Sequence, residues 1–157
     1  MDTSIRPALL VDIPHLAANL READRREIWA SSLADPETAL RYSFEKSDRV
    51  WTGLIENRPA VMFGIGRGQI LTGQVSAWLL GTREIEKIPR LFLEESRVWV
   101  AEMLEVYGSM SNYVDARNRR TLSWLRRLGA RFGKPVPFGA LGKPFVPFVI
   151  EREVANV

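Results

Sequence analysis

The sequence predicts a mixed α+β layer fold, a mostly antiparallel central sheet of about six or seven strands flanked by helices. Three observations carry this expectation. Short apolar runs alternate with segments whose apolar residues recur every three or four positions. Their order is strand, helices, three strands, helix, strand, helix, two strands. Ser111 to Phe132 holds this pattern in one block: extended Tyr113 and Val114, a polar mouth of Asp115, Arg117 and Asn118, then Thr121, Leu122, Leu125 and Leu128 at helical spacing. Gly129 ends the block's helix, because a residue without Cβ turns left-handed at no steric cost. Finally, 157 residues that are 46% apolar and 26% charged fit one domain, 1–157, with a real core.

Each element has its own signal. Pro7 forces Arg6 into extended geometry, so Ser4 to Pro7 opens as a strand. Asp12 is placed to cap a first helix with Ile13, Leu16, Ala17 and Leu20 on one face, and His15 falls on the solvent side. A second helix runs from about Glu22 to Leu33. Asp35-Pro36-Glu37 starts a third, ending near Lys46, with Ala39, Leu40 and Phe44 inward. Val50–Ile55 and Ala60–Ile65 read as a hairpin joined through Glu56-Asn57-Arg58-Pro59.

Gly66, Gly68 and Gly73 bracket a loop before the strand Val75–Leu80. Gly64 to Gly68 has the glycines of a phosphate loop without the strand-loop-helix context, so it reads as a twisted strand end. Thr82 caps a short turn that Pro89 interrupts. A longer helix then reaches Tyr107 with Phe92, Trp99, Met103 and Val106 on its inner face. The tail, 134–150, holds a proline-rich quasi-repeat. Proline cannot donate to a ladder, so this reads as an edge hairpin or arm closing the sheet. The five tryptophans read as core and rim packing.

Composition narrows the chemistry. There is no cysteine, which excludes disulfides, thiolate catalysis and zinc-cysteine sites. One histidine leaves no histidine cluster for a metal. No apolar run is long enough to span a bilayer, and the first residues lack a basic region followed by an apolar one, so a secretory leader is not expected. The net charge is +3, and arginine dominates the basic residues. Arg117, Arg119, Arg120, Arg126, Arg127, Arg131 and Lys134 form a run without an acid. On a helix, 119, 126 and 127 turn away from the 121/125/128 face, the arrangement of a solvated surface. No nucleic-acid motif accompanies them, which argues against a nucleic-acid partner.

The Ser111–Phe132 block resembles the strand–Asn–helix–Gly signature of the GCN5-related N-acetyltransferases, and IRPALLVDIPHLAANL resembles their opening strand and helix. The resemblance implies a three-layer fold and a cleft for acetyl-coenzyme A, the one cofactor in view. It places that cleft at Trp78, Leu79, Leu80, Gly81, Thr82, Arg83 and Asn118, with Asn118 toward the pantetheine arm. Two features depart from the family pattern. Gly81-Thr82-Arg83-Glu84-Ile85-Glu86-Lys87 lacks the second small residue of the family's pyrophosphate loop and carries two acids; a helix cap with acidic first-turn residues explains it. Leu125 stands where the family often has a tyrosine that protonates the leaving thiolate. No base is evident on the strand before Gly81. Glu56 and Asp115 are the remaining candidates, so no catalytic residue is assigned.

Across nearly its whole length the chain also resembles phage-encoded proteins related to the internal core protein A of short-tailed phages. The resemblance lies in VWTGLIENRPAVMFGI, AWLLGT, EMLEVYGSMSNYVDARNRRTLSWLRRLGARF and the PFxxPF-like tail. It implies a phage or prophage protein, non-catalytic and virion-internal or associated with morphogenesis, partnered by phage structural proteins in the host cytoplasm or the virion. An active N-acyltransferase on an unknown amine is the alternative.

Overall fold

In the computed structural model, which describes residues 1–67 and 75–153, the strands join in a single eight-stranded sheet. The elements in order are β1 (Thr3–Pro7), a 3-10 turn (Leu10–Asp12), α1 (Ile13–Asn19), α2 (Glu22–Ser32), α3 (Pro36–Lys46), β2 (Arg49–Ile55), β3 (Arg58–Arg67) and β4 (Val75–Gly81). A second 3-10 turn (Arg83–Lys87), α4 (Pro89–Tyr107), β5 (Ser109–Asp115), α5 (Arg119–Arg127), β6 (Arg131–Phe132), β7 (Val136–Phe138) and β8 (Lys143–Glu151) complete the chain. The strand order is β1-β2-β3-β4-β5-β8-β6, with β7 also on β8. Among the described strands, only β4 and β5 run parallel.

Side chains alternate across the sheet, as a pleat requires. Leu80 joins Ile13, Leu16, Leu20, Ile28, Leu40 and Met62 under α1–α3. Val75 joins Val100, Met103, Met110, Val114, Leu125 and Leu128 under α4 and α5. Helices therefore cover both faces, in the three layers expected. Each fully buried aliphatic side chain here contributes about 1.5–3 kcal/mol of transfer free energy.

Several expectations are corrected. Asp12 makes no side-chain cap to α1. Its carboxylate instead accepts Arg6 Nη1 and Nη2 at 2.8 Å each, Leu9 N at 2.9 Å and Thr52 Oγ1 at 2.8 Å, tying β1 and β2 to the first turn. The β2–β3 turn is only Glu56-Asn57, both at positive φ, so Arg58 and Pro59 already belong to β3. Gly66 lies in β3, while Gly68 and Gly73 fall outside the described residues. Val106 is exposed; Val100 and Met103 hold the inner face of α4. Trp29 is exposed too, and is neither core nor rim.

The tail forms the hairpin expected, β7 pairing antiparallel with β8, and the correction concerns where β8 sits. The proline-rich β8 is an interior strand, with β5 on one side and β6 and β7 on the other, which brings the strand count to eight. Its prolines fit because of where their missing N–H groups would point. Pro147 O accepts Gly133 N at 2.9 Å, so the absent donor faces the break between β6 and β7. Pro144 O accepts Ala116 N at 3.0 Å, just past the end of β5.

Candidate functional site

The site begins with a defect in the sheet. β4 and β5 pair only at Val75↔Met110 and Ser76↔Ser111. One further link, Asn112 Nδ2 to Ala77 O at 2.8 Å, closes the narrow end. Beyond it β4 keeps β3 as partner and β5 keeps β8, and the two strands splay. Two facing rows of backbone polar groups then need partners, since a buried unpaired N–H costs free energy.

Helix α2 supplies two of these partners. Asp24 and Glu27, one turn apart on the same helix face, reach the ends of the splayed strands. Gly81 N donates to Asp24 Oδ2 at 2.9 Å, and Asp115 N donates to Glu27 Oε1 at 2.6 Å. Arg21 N donates to Gly81 O at 2.9 Å and the Arg21 guanidinium holds Asp24 from the other side, at 3.0 Å. Ile28 and Ala30 bury the same helix into the core. The wedge thus follows from α2 carrying its acids and its apolar residues on neighbouring faces.

A cavity of about 1530 Å³ passes through the splay between the two helical layers. Glu27, Tyr113 and Phe138 line it on the α2 side; Leu79, Trp99 and Trp124 line it on the α4–α5 side. Tyr113, half-exposed rather than core, stacks on Phe138 with ring centroids 4.3 Å apart.

The three carboxylates titrate apart. Burial pushes Glu27 up to about 7, the negative charges of Asp24 and Asp115 add to this, and only the Asp115 N–H and Arg21 oppose it. Burial also raises Asp24, against the opposing pull of Arg21 and the Gly81 N–H. Burial works upward on Asp115 as well, but Arg117, bonded at 2.7 Å, and the charge of Arg26 carry it below the ordinary range. Neighbouring carboxylates with separated affinities for the proton are what acid–base work requires. Glu27 keeps part of its surface open to the cavity.

The expected cleft residues fall into two groups. Trp78, Leu79 and Leu80 lie along the splayed β4, though Trp78 Nε1 is committed to Ser47 Oγ at 2.7 Å. Gly81, Thr82 and Arg83 form a corner at which three amide donors are used internally. Gly81 N goes to Asp24, Thr82 N to Ala60 O at 2.8 Å, and Glu84 N to Thr82 Oγ1 at 3.3 Å. Arg83 is exposed. The two acids of the corner pair with Lys87 at 3.0 Å and Arg120 at 3.1 Å. Asn118 caps α5 through Thr121 N at 3.3 Å, and its Nδ2 is buried without a partner. Leu125 is core, packed under α5. Glu56, at the distant β2–β3 turn, accepts Asp2 N at 3.0 Å and takes no part. The sequence reading missed Asp24 and Glu27. A pair of acids three apart on a helix with a buried face was the only signal for them.

Comparison with known proteins bears on the fold. Among solved structures, the putative acetyltransferase yncA from Salmonella typhimurium with its cofactor acetyl-CoA superposes with a TM-score of 0.72 at 12% identity, covering 100% of this chain and 98% of that one. AAC(6')-Ib in complex with ribostamycin and coenzyme A gives 0.70 at 15% identity, covering 97% and 94%. The ribosomal-protein-alanine N-acetyltransferase from Brucella melitensis gives 0.69 at 16% identity, covering 95% and 99%. The fold is that of the GCN5-related N-acetyltransferases. No protein-family model and no curated protein matches the sequence. The phage resemblance rests on the sequence alone.

Proposed function

We propose that the chain is an acyl-coenzyme A-dependent N-acyltransferase acting on an amine, with Glu27 as its general base. The observation that carries this reading is the Glu27 carboxylate, set in the β4–β5 splay and protonating near pH 7. The residues around the splay suit the coenzyme in part. Among the described residues, the buried side-chain polar atoms without a partner are Trp99 Nε1, Asn118 Nδ2 and Trp124 Nε1. All are donors; the two indole N–H groups belong to residues lining the splay cavity, which fits a ligand rich in acceptors such as an amide-bearing arm, and Asn118 lines the smaller cavity beside it. The Trp78–Leu80 edge would hold the arm.

When bound, the coenzyme supplies a thioester as electrophile. Glu27 takes a proton from the acceptor's ammonium on the α2 side, freeing the nitrogen lone pair for attack on the thioester carbon. A C–N bond forms, the nitrogen gives up its second proton to solvent, the C–S bond breaks, and the sulfur leaves as thiolate. Leu125 cannot protonate that thiolate, so solvent does.

A second reading is favoured by the Gly81–Arg83 corner, where the Gly81 and Thr82 donors are already bonded, and by Leu125. In it the chain is a non-catalytic protein of phage or prophage origin that uses the cleft or the arginine face to bind phage structural proteins. Calorimetry separates the two. Acetyl-coenzyme A is expected to bind at micromolar concentration, on the order of −8 kcal/mol, with desulfo-coenzyme A as control. Coenzyme release across a panel of primary amines is expected to rise through about pH 7 and to fall by about 10²–10⁴ in Glu27→Gln. No heat up to millimolar ligand would overturn the enzyme reading, and presence of the chain in purified virions would then support the second.

A further inference from the structure

At the Gly81–Arg83 corner the amide donors of Gly81, Thr82 and Glu84 are spent inside the chain, so it does not offer an anion the usual row of free N–H groups. A different place does. Between α2 and the mouth of α5 lies a cavity of about 250 Å³, lined by Arg26, Asp115, Arg117, Asn118, Arg119 and Arg120 together with Ala23. We infer that this cavity binds a phosphate or diphosphate group, and that on the acyltransferase reading it holds the phosphate-bearing end of the coenzyme.

Three independent features converge there. The first is charge. Four arginines face one carboxylate, and Asp115 is already satisfied by Arg117 through Nε at 3.0 Å and Nη2 at 2.7 Å. Arg120 also pairs with Glu86, at 3.1 Å across an exposed contact; such a pair is weak and readily exchanged for a doubly charged ligand. Arg119 has no acidic partner among the described residues. The second feature is the α5 N-terminus, whose dipole favours an anion although Arg119 N and Thr121 N are already bonded to Arg117 O and Asn118 Oδ1. The third is Asn118. Its residue is 8% exposed, its Oδ1 is used by the cap, and its Nδ2 is a buried donor without an acceptor. A buried donor left unpaired is costly, and a phosphate oxygen in the adjoining cavity would relieve that cost. Because Ala23 and Arg26 come from α2 and the rest from β5, α5 and the link between them, an anion here would also tie α2 to the end of β5.

The test uses the full chain and inorganic pyrophosphate, which carries no acyl group. Calorimetry is expected to find saturable binding. Replacing Arg26 and Arg119 together by Ala should weaken it by about tenfold or more, since charge-assisted bonds to phosphate are the strong ones. Arg119→Ala alone should weaken it measurably, and Arg126→Ala is the control for that single change: it removes one positive charge from the same helix, but Arg126 lies over the Phe132 ring, 5.7 Å from its centroid, and does not line the cavity. It should change affinity by less than about twofold, as screened surface charges do. Asn118→Asp keeps an equally good cap while placing a carboxylate where the lone donor was. It should abolish binding with the circular-dichroism spectrum unchanged. Absence of pyrophosphate binding at 0.15 M salt, or equal weakening by Arg126→Ala, overturns the inference. A chain that binds pyrophosphate yet transfers no acyl group leaves this inference standing and overturns the acyltransferase. A chain that transfers acyl groups with Arg26 and Arg119 both replaced and coenzyme affinity intact does the reverse.

Discussion

At the scale of single residues, the molecule is decided by how it partners buried carboxylates. Asp12, 2% exposed, collects a bidentate arginine, a backbone N–H and a hydroxyl. Burial alone would raise its pKa; these partners outweigh burial and carry it below the ordinary range, so Asp12 is a stabilising anion at neutral pH. Glu27 is the opposite case. Its one backbone bond does not offset burial and two neighbouring acids, and it titrates near 7. The sign of its effect on stability follows. In the unfolded chain the carboxyl ionises near 4.5, whereas in the folded chain it stays protonated until about 7. Between these values the folded state binds the extra proton, so stability falls as pH rises. Glu27→Gln keeps an oxygen for Asp115 N and removes the ionisation. It is expected to raise the melting temperature at pH 8 and to leave it nearly unchanged at pH 4, while acyl transfer is lost. Equal melting curves at both pH values would show that Glu27 does not carry this burden, and the general-base assignment would lose its physical ground.

At the scale of elements, most local signals were legible in the sequence, Asp12 being the exception because its carboxylate is taken by Arg6, Leu9 and Thr52, and long-range ones were not. Asn118 caps α5 through a residue three positions on, and Gly129 takes φ of +91° right behind that helix; both lie within one block, and both were read correctly. Asp35 and Thr82 were read by the same short-range logic. Glu27 and Asp24 were not, because their partners Asp115 and Gly81 are 88 and 57 residues away. The interior place of β8 was hidden for a similar reason. Which side a proline's missing N–H faces depends on register, and register is a property of the assembled sheet. The tail also has a specific anchor. Ala140 N and Leu141 N donate to Ser31 O and Ala30 O at 2.9 and 3.2 Å, fastening the β7–β8 turn to the end of α2. Gly139 makes this approach possible: its φ is +74°, and a Cβ there would stand 2.6 Å from Ser31 Cα. Gly139→Ala is therefore expected to cost more than about 1 kcal/mol in urea unfolding. It should also speed amide exchange at Ala140 and Leu141 ahead of the rest of β8. Unchanged exchange at those two amides would mean that the turn is held from elsewhere.

At the scale of the whole molecule, the splay is a place where the sheet gives up pairing, and α2, α4, α5 and the tail arm all converge on what is left open. The arrangement concentrates unpartnered donors and one proton-poised acid around a single passage through the sheet, with the arginine cavity beside its wide end. A sheet interrupted in this way should be stabilised by the ligand it is built to hold. A ligand that binds only the folded chain at a hundred times its Kd adds about 2.7 kcal/mol. For a protein of this size that corresponds to roughly 5–11 °C in melting temperature. Coenzyme A is expected to produce such a shift in scanning calorimetry with the native chain. Glu27→Gln should keep the shift, since it removes a base and leaves the binding edge of β4 intact. The Arg26 and Arg119 double replacement should lose much of it, and pantetheine, which carries the arm without the diphosphate, should give a smaller shift that is insensitive to those arginines. If coenzyme A leaves the melting curve of the native chain where it was, the passage is not a coenzyme cleft. The three buried donors must then be answered by a partner of a different kind.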